Sequence, residues 1–209
     1  MLKIWGRLSS INVRKVVFTA QWLNLPFERV DAGLHHGVVK TPEYLRKNPN
    51  ALVPLVEDGD FQLWESNVIV RYLCARYGSG APGEPYPAEL SRRFDAERWM
   101  DWQQTTLNPA GRPAFIQLFR TPPEKRDAGV VAQSVSAMEP LMAVIDEHLG
   151  RRPFMAGEYL TMADVPIACD VHRWRALPLQ RPPRPHIDRW FQDILSRPAS
   201  RGVFDFPLS

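Results

Sequence analysis

The sequence predicts a small α/β domain followed by an all-helical one. Three observations carry this expectation. Strand-like and helix-like patterns alternate up to residue 77, residues 78–88 lose all periodicity and gather glycine and proline, and everything beyond reads with helical spacing.

Residues 2–6 open the chain as a strand. Residues 11–24 follow as a helix, with Val13, Val16, Val17, Ala20 and Leu23 forming one apolar face. Strand character returns from Phe27 to Asp31, so a parallel pair joined by a right-handed crossover is expected. A loop rich in glycine and histidine runs from Gly33 to Thr41, before a short helix over 42–47. Strands 54–57 and 61–64 are joined through Asp58-Gly59, a strong hairpin signal, and a helix over 67–77 closes the unit. That order, βαβ then ββα, is the thioredoxin-like arrangement. Beyond the linker, helices are expected over 89–107, 113–120, 124–149, 162–176 and 185–196, with no strand between them. The chain thus divides into 1–79, a linker at 80–88, and a helical domain over 89–209.

Composition narrows the function classes. A chain of 209 residues with 44% hydrophobic content can bury a sizeable core. The formal net charge is only +3, its excess lies in the first domain, and no basic stripe of a nucleic-acid binder is visible. The N-terminus runs straight into strand pattern without a signal-like segment, and no run approaches the roughly 18 apolar residues of a membrane span, so a cytoplasmic protein without a membrane partner is expected. Cys74 and Cys169 are the only cysteines; far apart and inside helical patterns, they form neither a CxxC pair nor a metal cluster and read as small buried thiols.

Two short segments carry the chemistry. In Ala51-Leu52-Val53-Pro54-Leu55-Val56, a proline that cannot donate to a ladder stands at the mouth of an apolar run, which suggests a free edge and a ligand platform. In Trp64-Glu65-Ser66-Asn67, a carboxylate and a hydroxyl precede the helical pattern Val68, Ile69, Tyr72, Leu73, where a helix exposes unpaired N–H groups. Together they suit a zwitterionic peptide.

Val53-Pro54 followed by Glu65-Ser66, after the turn Ser10-Ile11-Asn12, resembles the glutathione-binding domain of cytosolic glutathione S-transferases, nearest to bacterial theta-like and nu-like members. Trp5-Gly6-Arg7 and Leu160-Thr161-Met162-Ala163-Asp164 fit the same family, so the resemblance spans essentially the whole chain. It implies a thioredoxin-like domain plus an all-α domain, glutathione as co-substrate without a metal, and a homodimer that conjugates small electrophiles in detoxification. Two other readings stay open: a glutathione-dependent peroxidase or disulfide reductase, and a non-catalytic glutathione-binding protein.

A thiol of ordinary pKa near 8.5 is only about 3% thiolate at pH 7, so an enzyme that uses glutathione as nucleophile must stabilise the anion. The resemblance assigns this to Ser10, four residues before Arg14, at the N-terminus of the first helix. Ser9 competes for the role, and Asn12 matches an asparagine of nu-like enzymes. Lowering the pKa by about two units yields only a several-fold net gain once reduced nucleophilicity is counted, so most of the acceleration falls to holding the electrophile beside the sulfur.

For the peptide itself, the resemblance assigns the backbone of Val53, with Pro54 cis, to the cysteinyl part. Glu65 takes the γ-glutamyl ammonium and Ser66 its carboxylate; a plain helix cap is the competing role for both. Many relatives place a lysine or histidine just before Val-Pro, whereas this chain has Ala51-Leu52, which leaves Asn50, His36 and Lys40 as candidates for the glycyl carboxylate. Trp102, Arg112 and Phe115 are candidates for the electrophile pocket, with ordinary core or surface roles as alternatives. Thr161-Met162-Ala163-Asp164 reads as an N-capping box of structural purpose.

Overall fold

The computed structural model describes residues 1–208. Four strands, β1 (Leu2–Trp5), β2 (Phe27–Val30), β3 (Leu55–Asp58) and β4 (Phe61–Trp64), form one sheet of order β2-β1-β3-β4. β1 and β2 pair in parallel across α1 (Ile11–Trp22), and β3 runs antiparallel to both β1 and β4. The β3–β4 hairpin turns on Gly59 and Asp60, with Gly59 at φ +63, where glycine carries no steric penalty. Helices α2 (Pro42–Lys47) and α3 (Ser66–Tyr77) complete this half.

Pro54 does not mark a sheet edge. β3 is an interior strand, and Pro54 stands just before it, joined to Val53 by a cis peptide. What remains outside the ladder is the segment 51–53.

α1 packs against α3 on one flank and against α7 (Asp164–Arg175) of the helical half on the other. A helix enclosed in this way keeps no polar face, and Arg14 and Lys15 are only 1% and 0% exposed, so both need partners inside the protein. On α3, the face is rotated from the expected one. Ser66, Ile69, Val70, Leu73 and Cys74 are buried at helical spacing, while Val68 is 43% exposed. Val70 and Cys74 therefore point inward, and Arg71 is taken up by Asp101 at 2.5 Å.

The helical half opens with α4 (Leu90–Trp102), which continues through a π turn at Gln103–Leu107 into α5 (Asn108–Phe115) and a second π turn at Ile116–Arg120. The expected break at 108–112 is absent. Pro109 falls in the first turn of α5, where a missing N–H costs little, and the flanking π turns re-register the bonding around it. α6 (Ala128–Arg151) is, by length and composition, apolar enough to cross a membrane, with a mean hydropathy of 1.4 over its most apolar window. That departs from the sequence expectation. One stripe of it, Ser134, Met138, Met142, Ile145 and Leu149, is buried, and the helix packs against α5 and α8 (Pro185–Ser196), while 22% of that apolar window is buried.

At the head of α7, the Asp164 carboxylate accepts from the backbone N–H groups of Met155 and Thr161, both at 2.9 Å, and from Trp190 Nε1 at 2.8 Å. Thr161 Oγ1 also donates to it at 3.2 Å and accepts from Ala163 N at 3.3 Å; the reciprocal half of the expected capping box is thus made, although α7 itself begins at Asp164 with Ala163 at its N-cap. Cys74 and Cys169 are buried free thiols.

Candidate active site

The site begins where β1 ends. Gly6 has φ +145, and a Cβ there would stand 2.4 Å from Val13 Cγ2, so only glycine lets the strand end close onto α1. The following turn carries Ser9 and Ser10, 7% and 8% exposed. Ser10 is the N-cap residue of α1, and its carbonyl accepts from Val13 N and Arg14 N at 3.0 Å. Its hydroxyl makes no capping bond, so it is not spent on the helix. Asn12, two residues on, has a buried Oδ1 without a hydrogen-bond partner among the described residues.

This turn forms one wall of a cleft of about 430 Å³ between the two halves. The opposite rim is the segment Ala51, Leu52, Val53, braced from behind by Tyr44 Oη and Asn48 Nδ2, which donate to the Leu52 carbonyl at 2.6 and 2.9 Å. The helical half supplies Asn108, Arg112, Phe115 and Arg120, and α7 supplies Arg173. The Arg120 and Arg173 guanidiniums lie 5.0 and 5.7 Å from the Phe115 ring centroid, within cation–π range.

Glu65 stands at the start of α3 with φ +70, a strained conformation for a side-chain-bearing residue. Its carboxylate is exposed and makes no capping bond. Beside it, Ser66 Oγ lies 3.4 Å from the buried Lys15 Nζ, which also donates to Asn67 Oδ1 and Gln103 Oε1 at 3.0 Å. Gln103 Nε2 in turn donates to Asp170, and Asp170 pairs with Arg173 at 2.5 Å. A buried polar chain thus runs from the start of α3, through α1, to the cleft wall of the helical half. Burial brings the Lys15 pKa down to about 8, with the Asp170 charge as the leading opposing influence.

Ser10, Asn12, Val53, Arg112 and Phe115 therefore meet on one cleft. Pro54 sits directly behind Val53, and Glu65 and Ser66 head α3. Asn50, His36 and Lys40 are exposed and lie outside the cleft lining, although Leu34, Val39 and Ala51 beside them belong to it. Trp102 also lies outside the lining and packs edge-on against Trp99, with ring centroids 5.3 Å apart. Sequence reasoning missed Arg7, Arg120 and Arg173 on the cleft wall, and Lys15, Gln103 and Asp170 behind it. Arg112 and Arg120, eight residues apart on one helical path, were the one spacing that hinted at a shared face.

Comparison with known proteins gives this geometry its family. The N-terminal domain of glutathione S-transferases matches residues 1–75, and the C-terminal domain of the same family matches residues 109–198. The chain belongs to the glutathione S-transferase family. This transferase is 40% identical over 211 residues to glutathione S-transferase GstB of Escherichia coli K12, with 100% of both chains covered. It is 32% identical over 218 residues to glutathione S-transferase 3 of Zea mays, covering 99% of this chain and 95% of the relative. Among solved structures it is similar to the theta class glutathione S-transferase of Xanthomonas axonopodis pv. citri with glutathione bound, at a TM-score of 0.94 and 35% identity, covering 100% of this chain and 99% of that one. The theta-like character and the two-part fold expected from the motifs are thus found in the transferase.

Proposed function

We propose that this glutathione S-transferase seats glutathione along the segment 51–53, with Val53 against the cysteinyl part, Pro54 shaping the approach, and Glu65 and Ser66 holding the γ-glutamyl ammonium and carboxylate. Ser10 donates to the thiolate, which attacks a small electrophile held by Arg112 and Phe115. One observation carries this reading: Ser10 lines the cleft at a helix N-terminus, and its hydroxyl is not used as that helix's cap. The Lys15 ammonium behind Ser66 supports the carboxylate end. Glutathione soaked into crystals is expected to place its sulfur within hydrogen-bond reach of Ser10 Oγ. A sulfur nearer Ser9 or Asn12 would reassign the donor.

A second reading has its own observation. Asn12 lines the same cleft, and among the described residues its Oδ1 has no hydrogen-bond partner, which leaves an acceptor for the O–H of a hydroperoxide; a mixed disulfide is the other substrate class of this reading. Turnover of either substrate without an S-conjugate would favour a glutathione-dependent peroxidase or disulfide reductase.

The division 1–79, 80–88 and 89–209, a cytoplasmic location and a detoxifying role complete the proposal; two buried free thiols suit a reducing compartment. We assign a homodimer and draw its apolar contacts from Phe61, Trp64, Val68, Leu90 and Phe94, large apolar residues that are each 38–59% exposed. Within the chain, Arg92 pairs with Glu84 and Arg93 donates to the carbonyls of Pro87 and Ala88. Light scattering should give about twice the 24.0 kDa chain mass; a persistent monomer would contradict the assignment.

A further inference from the structure

The cleft is strongly cationic. Arg7 from the Ser10 turn, Arg112 from α5, Arg120 from the π turn after it and Arg173 from α7 all line it, and among the described lining residues none is aspartate or glutamate. Arg173 has its carboxylate in Asp170. Arg7 is 9% exposed, and its buried Nε is without a hydrogen-bond partner. Room for its side chain is made by Gly33, at φ +82, where a Cβ would stand 2.9 Å from Arg7 Nη1. Burial and, after it, the facing Arg120 charge hold the Arg7 pKa below the usual guanidinium value. Among the described residues no carboxylate pairs with this guanidinium.

We propose that the electrophile carries a compact anion, such as a carboxylate, next to the carbon that the thiolate attacks, with Arg7 as its main contact and Arg112 and Arg120 across the cleft. This rests on the transferase reading above. Arg7 fits that position because its carbonyl accepts from Ser10 N at 3.1 Å, which puts both residues in one turn at the sulfur end of the peptide. The glutathione carboxylates are expected elsewhere, at Ser66 and beyond Leu52. In the reaction of a 2-halocarboxylate, the thiolate sulfur forms a bond to the carbon as the carbon–halogen bond breaks. The halide leaves with the bonding pair, and the carboxylate keeps its charge throughout. Attack of one anion on another is slow in water, and guanidiniums fixed around the second anion offset that repulsion.

Calorimetric titration of the full chain with S-(carboxymethyl)glutathione and the equally sized S-(carbamoylmethyl)glutathione tests this, with S-methylglutathione as the reference for the peptide site. The acid should bind at least about tenfold more tightly than the amide, as a charge-assisted contact predicts. That ratio should shrink with added salt and fall to near one in Arg7→Gln. Arg112→Gln, at an exposed position on α5, should reduce it in part and serves if the Arg7 variant does not fold. Equal affinity for acid and amide, with S-methylglutathione still bound, would overturn the proposal and leave the transferase reading standing. Equal weakening of both conjugates in Arg7→Gln would assign Arg7 to glutathione itself and also overturn it. Failure of S-methylglutathione to bind would sink the peptide site and this proposal together.

Discussion

Arg14 Nε donates to the carbonyl of Leu8 at 2.9 Å, tying the first helix back onto the turn that carries Ser9 and Ser10. The same guanidinium donates to the carbonyls of Phe206 and Pro207 at 2.8 Å, next to Leu208, which lines the cleft. One buried cation therefore ties together the turn that carries Ser9 and Ser10 and the segment at Phe206 and Pro207. Arg14→Met should leave these carbonyls without donors and lower stability by about 3 kcal/mol, a fall of roughly 6–12 °C in Tm for a chain of this size. Calorimetry and a kcat measurement below the new Tm check this. Loss of stability with an unchanged kcat would confine Arg14 to folding.

His172 gives the enzyme a predictable acid limb. Arg14 Nη1 lies 3.3 Å from His172 Nδ1, and burial first, then the Arg14 charge, bring the imidazole pKa down to about 4. In the unfolded chain it protonates near the ordinary 6.5, so between pH 6.5 and 4 the unfolded state binds a proton that the native state does not. Stability contributed here is present above pH 6.5 and is lost as pH falls, by about 3 kcal/mol over the window. Asp164, its pKa pushed up to about 6 by burial, works in the opposite sense over part of that range. The effect is therefore read as wild type minus His172→Gln by denaturant titration at several pH values. Parallel curves would remove His172 from the acid response.

Glu65 separates a clamp from a cap by the signs of two effects. At φ +70 any residue with a Cβ is strained, so Glu65→Gly should raise stability by about 1 kcal/mol. Loss of the carboxylate should weaken glutathione binding by about 2–3 kcal/mol, as removal of a charge-assisted bond does. Equilibrium unfolding and glutathione titration on the same preparation read both. Unchanged affinity would remove Glu65 from the peptide site.

The strands, α1 and α3 were legible because each has a clean period and turn residues at its ends, and the starts of β3 and α3 because Val53-Pro54 and Glu65-Ser66 are local motifs. Other features were hidden for physical reasons. Pro109 and Pro113 read as helix breakers, yet π turns on either side carry the helix past them. The stripe on α3 was misjudged by one residue, since Val68 and Val70 are the same residue type and only packing distinguishes them. Nothing in the pattern of α1 announces that Arg14 and Lys15 are buried, because burial comes from α3 and α7, both distant along the chain. Arg7 and Arg173 likewise share a cleft only through tertiary packing.

The central claim is that the Ser10 hydroxyl stabilises the thiolate of bound glutathione. The most direct measurement is the ultraviolet absorbance of that thiolate, followed against pH in wild type and Ser10→Ala. The hydroxyl bond predicts that the apparent thiol pKa rises by about one unit or more in the variant, worth roughly 1.4 kcal/mol per unit, with little change in glutathione affinity. Coincident titration curves would contradict the account and move the search to Ser9 or Asn12.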